Sequence, residues 1–323
     1  MKINLGSEIT SFVVSAKKEG SIEDAVLRVA EGIQRLGFPD FVEATQERVI
    51  GWSSFDDFLD SKWEFSTIDK GPYLFFNLRI DSKKVSGKAL KRLFAEYEKK
   101  NGPVKGKAKR EAKDNIKYKL LINAPVVTQC VPVVMDATNG SMVLFSSSPK
   151  IIEEFIVLFE ASATDVQLDY DKFHDEEDSL SLLTKMWVDL ARGRKLSASF
   201  EENDFDVYLG NSVIAESAEN KISVSGDGDV VEEIEKALEN GFKISKCAFV
   251  LEPSETSQYQ AIRFSLGSTP SALSRLKFSV SSGEEAPDVD GSEDLEMEAM
   301  CFEYAHQIMM IKNLVKSFVN NFI

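Results

Sequence analysis

The sequence predicts an α+β fold, and two features of its 323 residues indicate this. Short runs rich in β-branched and aromatic residues are typical of strands, and between them lie longer runs whose apolar residues recur every three or four positions, as in amphipathic helices. A third feature, the separation of positive from negative charge, sets one segment apart from the rest. We therefore expect mixed sheets, a basic helical hairpin and a long C-terminal helix.

The first 80 residues alternate between strand and helix patterns. The run ITSFVVSA is typical of a strand, and YLFFNLRI at 73–80 predicts a buried strand. Between them, Ser21 with Asp24 three residues later predicts the capped start of a helix, which should end before Gly37 and Pro39.

Two helices are expected between residues 83 and 119. Ser86 is a candidate N-cap for the first helix, which continues to Lys100, and the sequence NGP at 101–103 ends it. The second helix is predicted over about 105–121. Its apolar residues recur at every fourth position: Ala108, Ala112, Ile116 and Leu120. Because the connection is short, the two helices should form a hairpin.

The remaining sequence predicts further strands and helices. VPVVMD and SMVLFSS are joined by ATNG, in which Asn139-Gly140 is a strong hairpin signal. Pro149 favours a helix start in PKIIEEFIVLFEAS, and SLSLLTKMWVDLARG predicts another helix. Residues 196–280 predict short strands interrupted by a helix, VVEEIEKALENG. Residues 281–298 contain eight acidic and no basic residues, which predicts a flexible loop before the C-terminal helix.

These elements group into three expected regions. Residues 1–80 and 120–165 should form a central α+β domain, and residues 81–119 the basic helical hairpin at its tip. Residues 166–323 should form a second α+β domain with the acidic loop 281–298 and the C-terminal helix. The methionines of that helix are expected to pack in a core or a dimer contact.

Composition argues against several functional classes. The two histidines of the chain are too few for a histidine-based zinc site or a Ser-His-Asp triad, and neither a GxGxxG nor a GxxxxGKS/T phosphate loop is present. Cys130, Cys247 and Cys301 lie far apart among apolar neighbours and are predicted to be reduced core residues. No apolar run reaches the roughly 18 to 20 residues of a membrane span. We expect no cofactor, no metal, no membrane association and a cytoplasmic location.

Charge is distributed very unevenly along the chain. Residues 83–119 contain fourteen Lys and Arg and four Asp and Glu, whereas the rest of the chain carries 24 basic and 49 acidic residues. A solvated helical surface usually mixes the two signs, so this separation indicates a binding surface. The candidate site consists of the fourteen basic residues: Lys83, Lys84, Lys88, Lys91, Arg92, Lys99, Lys100, Lys105, Lys107, Lys109, Arg110, Lys113, Lys117 and Lys119.

The spacing of the basic residues favours a polyanion as the ligand. Lys105, Lys109, Lys113 and Lys117 recur at every fourth position and should form one ridge, in which like charges repel until an anion relieves them. A lysine-rich ridge without Asn, Gln or Arg in base-reading positions predicts phosphate contacts, weak sequence preference and steep salt dependence. The absence of a Trp anchor argues against a lipid surface. The alternatives are a solubilising face and a face neutralised by the protein's own acids.

Seven stretches of the chain, in this order, are similar to the recombination-associated RdgC family of bacteria. They are Gly51-Trp52, the basic hairpin ending in LLINAPV, MDATNGSMVLFSSS, Trp187-Val188 in TKMWVDLARG, EEIEKALENGFKISKCAFVL, SALSRLKF and the amphipathic C-terminal helix. Each stretch is short, and the resemblance depends on their order and spacing over most of the chain.

The resemblance implies a DNA-binding protein without sequence specificity. In this family two elongated, multi-subdomain, horseshoe-shaped subunits close into a homodimeric ring, and duplex DNA passes through its basic central hole. The resemblance also implies association with the nucleoid and restraint of recombinase-driven strand exchange, which makes a recombinase a further expected partner. Where the family pattern carries arginines and a phenylalanine in a loop that reaches DNA, this chain has Asn123, Pro125 and Val127.

Two other functions are compatible with the sequence. A metal-dependent exonuclease needs clustered carboxylates, and DVQLDYDK supplies Asp165, Asp169, Asp171 and Lys172, with the three aspartates on one face of a strand. A protein-interaction module would use the basic hairpin to bind an acidic partner, such as the chain's own loop at 281–298.

Overall fold

A computed structural model describes most of the chain. The residues described are 6–17, 20–39, 46–57, 60, 69–70, 72–175, 177, 179–201, 203–226, 230–254, 259–278 and 293–322.

Seven helices and thirteen strands are formed by the described residues. The helices are α1 (Ile22–Arg35), α2 (Gly87–Asn101), α3 (Gly106–Ile122), α4 (Pro149–Ser162), α5 (Ser179–Ala191), α6 (Val230–Glu239) and α7 (Glu293–Phe322). The strands are β1 (Ile9–Ala16), β2 (Arg48–Ser53), β3 (Asp69–Lys70), β4 (Tyr73–Lys83), β5 (Val126–Asp136), β6 (Ser141–Leu144), β7 (Val166–Tyr170), β8 (Leu196–Phe200), β9 (Asn203–Glu216), β10 (Lys221–Ser225), β11 (Lys243–Pro253), β12 (Ile262–Gly267) and β13 (Ala272–Lys277).

All the described strands belong to one sheet. Their order is β10-β9-β11-β12-β13-β1-β6-β5-β4-β2, with β3 beside β4, β7 beside β1 and β8 beside β9. The α+β class is thereby confirmed. The expectation of mixed sheets was wrong, because every pairing between these strands is antiparallel. Short turns join many neighbouring strands, and such turns produce antiparallel pairs. The horseshoe and the division into domains stay predictions.

Strand β1 joins two parts of the sheet. The first part consists of β2 to β6, and the second part consists of β8 to β13. Its Thr10 is the register partner of Leu144 in β6 and of Ala272 in β13. Beyond that point the same strand, from Phe12 to Ala16, pairs with β7. The Thr10 hydroxyl is buried and donates a hydrogen bond of 2.7 Å to the carbonyl of Ser146. The strands before and after the middle of the chain are therefore fixed relative to each other through one short strand.

Helices α1 and α4 cover one face of the first part of the sheet. Their apolar residues pack with those of β1, β2, β4, β5 and β6 in one buried cluster. Trp52 is completely buried there, stacks edge-on against Phe155 and donates from Nε1 to Ser162 Oγ at 2.7 Å. A Cβ on Gly32 would lie 2.2 Å from the carbonyl oxygen of Ser162, so only glycine permits this close contact between the helices.

Helix α7 is buried within a second cluster, on the opposite side of the sheet. That cluster joins residues of the first part, such as Phe75, to residues of β9 and of β11 to β13. Phe318 stacks edge-on against Phe249 with ring centroids 5.3 Å apart. Met309 and Met310 are buried in the same cluster, which confirms core packing for these two methionines, whereas Met300 is exposed.

The boundaries of the C-terminal helix differ from the prediction. Residues 281–292 of the expected acidic loop lie outside the described residues, but α7 begins at Glu293, so the backbone of 293–298 is helical and not part of a loop. Glutamate has a high helix propensity, and an acid-rich run does not prevent a helix. All three cysteines are free, and Cys247 and Cys301 are buried as predicted, whereas Cys130 is only partly buried and not a core residue. None of the described helices is long and apolar enough to cross a bilayer.

A buried ionic cluster attaches α7 to the segment after β7. Lys312 Nζ lies 2.5 Å from Asp171 Oδ2, and Lys316 contacts the other carboxylate oxygen. Burial acts to raise the pKa of Asp171, but the two lysines outweigh it and hold that pKa below its usual value. Lys312 is only 3% exposed. Burial lowers the pKa of this lysine, although the charge of Asp171 acts in the opposite direction.

We expect Asp171→Asn to lower the free energy of unfolding by about 3 to 5 kcal/mol, because it leaves Lys312 charged, buried and without its counter-ion. Urea denaturation at neutral pH measures this loss. The contribution of the carboxylate is present above its unfolded pKa, near 3.8, and is lost as pH falls through the lower folded pKa. The acid-induced loss of stability should therefore be shallower in the variant. Lys316→Met, which keeps the pair between Lys312 and Asp171, is the control, and an equal cost in the two variants would contradict the assignment.

Candidate nucleic-acid interface

The paired strands β4 and β5 form a ribbon that supports the basic hairpin, and β2 pairs with the other edge of β4 from Asn77 to Ser82. Strands β4 and β5 pair without a break from Tyr73 opposite Asp136 to Lys83 opposite Val126. Strand β6 pairs with β5 only over Val133–Met135, so the start of β5 has β4 on one side and no strand on the other within the described residues. Helices α2 and α3 follow the end of this ribbon. The two charged helices thus lie between the paired ends of β4 and β5.

Local sequence sets the limits of α2. Ser86 is its N-cap, and the Ser86 hydroxyl accepts a hydrogen bond of 3.5 Å from the backbone N–H of Ala89, as predicted. Gly102 ends the helix with φ +82°, a conformation that glycine adopts without strain. The second helix starts at Gly106, and no side chain caps it. The two observed helices lie within one or two residues of their predicted limits.

Phe94 is the centre of the contact between α2 and α3. Its side chain is 8% exposed and lies against Tyr97 with parallel rings, the centroids 6.4 Å apart. From the predicted apolar stripe of α3, Ala112 is buried, but Ala108 is exposed because it lies toward the outer end of the hairpin. The hairpin therefore has only a small apolar contact of its own.

The predicted lysine ridge borders this apolar contact. Lys109 and Lys113 place their Nζ atoms 5.8 and 5.2 Å from the centre of the Phe94 ring, within range of a cation–π interaction. Lys117 forms an ion pair of 2.5 Å with Glu47. Three of the four ridge lysines are thus engaged within the protein, while Lys105 is exposed at the start of α3.

Two further basic residues of the hairpin have acidic neighbours one turn away. Arg92 lies 3.8 Å from Glu96, and Lys107 lies 3.7 Å from Glu111. Both pairs are highly exposed, and such pairs contribute little to stability and dissociate easily. They leave the guanidinium and the ammonium group accessible to another anion.

Most of the remaining basic residues are exposed and have no acidic partner. No ion pair joins them to an acid in the part of the chain that the structure describes. They are Lys84, Lys88, Lys91, Lys99, Lys100, Lys105, Arg110 and Lys119. Lys83, the last of the fourteen, is partly buried at the end of β4. The hairpin is therefore a surface of uncompensated positive charge on a protein with a net charge of −15.

Exposed apolar side chains lie at the base of this surface, which sequence reasoning missed. Tyr118 is 56% exposed, and Ile122, Val126 and Val127 are also largely exposed. Helix and strand patterns alone place such residues in a core, and no signal in the sequence distinguishes them. Tyr118 neighbours Lys119, an arrangement in which an aromatic ring can stack on a base while the ammonium group contacts a phosphate.

Each of the predicted nuclease carboxylates has its own partner in the protein. Asp171 is bound by two lysines of α7, Asp169 accepts hydrogen bonds from Gln167, and Asp165 lies 3.8 Å from Arg28. Among the described residues, no group of three His, Cys, Asp or Glu side chains is arranged to hold a metal ion. The strand alternation predicted a shared face for the three aspartates, but β7 ends at Tyr170 and does not include Asp165 or Asp171.

These observations define an α+β protein in which one antiparallel sheet supports a strongly cationic helical hairpin. The model of one protein family, described as "Putative exonuclease, RdgC", matches residues 74–321, a range that includes the hairpin and nearly all of its supporting ribbon and of α7. The chain belongs to the RdgC family, as the short sequence matches predicted. No curated protein matches the chain.

We expect Phe94→Ala to loosen the hairpin without unfolding the sheet. Truncation of a buried phenylalanine costs about 3 kcal/mol or more, and the hairpin has little other apolar contact. Hydrogen exchange followed by mass spectrometry should show faster exchange of the amides in 87–122 and unchanged exchange in β11 and β12. Phe94→Leu, which keeps most of the apolar volume, should have a much smaller effect. Protection of 87–122 that is the same in the Ala variant and the parent would contradict the packing role of Phe94.

Proposed function

We propose that this protein binds DNA without sequence specificity, through the phosphate contacts of the α2–α3 hairpin. The observation that carries the proposal is the set of exposed lysines and arginines on the hairpin without acidic neighbours among the described residues. A polyanion relieves their mutual repulsion and releases its own condensed counter-ions on binding. Twelve of the fourteen basic residues are lysines, which contact phosphates as point charges, so contacts to the DNA backbone should dominate.

We further propose that two copies of the chain form a ring around duplex DNA and thereby limit the access of recombinases. The charge separation supports this arrangement, because a ring with a basic lining and an acidic exterior attracts DNA to the hole alone. Membership of the RdgC family supports it as well. Association with the nucleoid in the cytoplasm follows from the same proposal.

We expect the joint substitution of Lys91, Lys105 and Arg110 by Gln to weaken duplex binding by at least tenfold at low salt. Each lost phosphate contact removes about 0.9 from the slope of log K against log salt concentration, so the slope should fall by about 2.7. Fluorescence anisotropy of a labelled duplex between 50 and 200 mM salt, the range over which such complexes lose about three to five decades of affinity, gives both values.

The matched control replaces Lys195, Lys236 and Lys243, three exposed lysines outside the hairpin, by Gln. It changes the net charge by the same amount and should leave the slope unchanged. If the two triple variants bind equally, net charge and not the hairpin determines affinity, and the proposal fails. A peptide of residues 281–298 that displaces no DNA at low salt would argue against an acidic protein segment as the natural ligand of the hairpin.

Solution mass measured with and without duplex tests the ring. We expect a dimer in both conditions, and a circular duplex should be released more slowly than a linear one of the same length, because it cannot slide out. A monomer whose duplex binding is weakened by the Lys91, Lys105 and Arg110 substitutions would rule out the ring while leaving the hairpin assignment intact.

An exonuclease is the second candidate, and the description of the matching family favours it. The described carboxylates of DVQLDYDK do not support it, since Asp171 already neutralises two lysines of α7. We expect labelled linear duplex to remain intact when incubated with the protein and Mg²⁺ or Mn²⁺. Cleavage that is present in the parent and lost in Asp169→Ala would contradict the proposal and identify the aspartates as catalytic.

A further inference from the structure

A second cationic site lies on the open face of the sheet, far along the chain from the hairpin. Residues of β11 and β12 alternate between the two faces: Phe249 and Phe264 pack in the core, whereas Ala248 and Ser265 point to the other side. On that side they form the floor of a cavity of about 660 Å³. The small side chains of the floor leave the space that larger residues would fill.

Three basic residues surround this floor: Arg263, Arg275 and Lys277. Arg263 in β12 and Lys277 in β13 are register partners, which places two like charges directly opposite each other on neighbouring strands. Such a pair is destabilising unless an anion lies between the charges. No carboxylate is among the described residues that line the cavity, although acids outnumber bases two to one outside the hairpin.

Two irregularities in the strands shape the cavity. The register between β9 and β11 shifts between Cys247 and Phe249, and the register between β12 and β13 shifts beside Ser265. Both shifts occur at the same level of the sheet, because Ala248 pairs with Ser265. Bulges of this kind bend strands and redirect side chains, and they are common next to functional sites.

The backbone of Arg275 is strained in a way that serves the cavity. Its φ is +53°, a conformation that side chains other than glycine rarely adopt. In this conformation the guanidinium reaches across the floor and donates to Ser212 Oγ in β9. An arginine has five N–H donors, so this bond leaves donors that face the cavity. Burial lowers the pKa of the neighbouring Lys246, and the charge of Arg275 lowers it further, while Glu8 acts in the opposite direction.

We propose that this cavity binds a phosphate group, held by Arg263, Arg275 and Lys277, independently of the hairpin. Planar guanidinium groups match phosphate oxygens in pairs, and the opposed cations gain the counter-ion that the described protein does not supply. The cavity is wide enough for a nucleotide, so the phosphate belongs either to a free nucleotide or to a nucleic-acid backbone. The experiment below has one arm for each source.

In the first arm, inorganic phosphate and deoxyadenosine 5′-monophosphate are titrated into the full chain by calorimetry. We expect binding that the double change Arg263→Gln with Lys277→Gln weakens at least tenfold. Arg275→Gly should weaken it similarly without lowering the thermal midpoint, because glycine relieves the backbone strain at that position. A lower midpoint with unchanged affinity would assign Arg275 to structure alone and overturn its role.

In the second arm, the double change is made in the variant that lacks Lys91, Lys105 and Arg110, and duplex binding is measured. A further tenfold loss assigns the phosphate to nucleic acid even if neither small probe binds. The cavity changes are judged by the further loss of duplex affinity, whether or not the hairpin changes lower that affinity by themselves. Failure of the cavity proposal is therefore distinguishable from failure of the hairpin proposal. If the double change alters neither small-probe binding nor duplex binding, the cavity is not a phosphate site.

Discussion

The pairing of β1 with both parts of the sheet is the constraint on which the rest of the structure depends. Thr10 has one strand partner before the middle of the chain and another close to its end, so β1 must be in place before the sheet is continuous. Helix α7 then packs across strands from both parts, and Asp171 binds two of its lysines at the segment that follows β7. A buried ion pair is costly to desolvate, and we infer that its value lies in fixing the position of α7 more than in stability.

This rigid framework explains why the charged hairpin can be so poor in apolar contacts. Its helices contribute few buried residues, Phe94 chief among them, and the long ribbon of β4 and β5 holds their ends in register. A surface that must stay exposed and positively charged cannot fold on its own hydrophobic core. The stability has to come from the sheet, and the separation of charge along the sequence reflects this division between support and surface.

Particular residues show how far sequence reasoning extended into the site. The limits of α2 and α3 followed from Ser86, the NGP break and four-residue spacing, because caps and breaks act locally. The spacing also placed Lys105, Lys109, Lys113 and Lys117 on one ridge. It could not show that Phe94 and Glu47 engage most of that ridge, since those contacts depend on residues of another helix and of a distant segment. The exposure of Tyr118 was likewise unpredictable.

The sequence by itself determined the α+β class, most of the helices and strands, the cationic hairpin and, through short ordered matches, the RdgC family. These are properties of neighbouring residues and of composition, which the chain carries without folding. Only the tertiary structure decided that the sheet is antiparallel throughout its described strands, that Asp171 is bound by lysines of α7, and that Arg263 and Lys277 lie opposite each other. Each of these depends on which distant segments pair, and periodicity contains no information about the partner of a strand or the register between them.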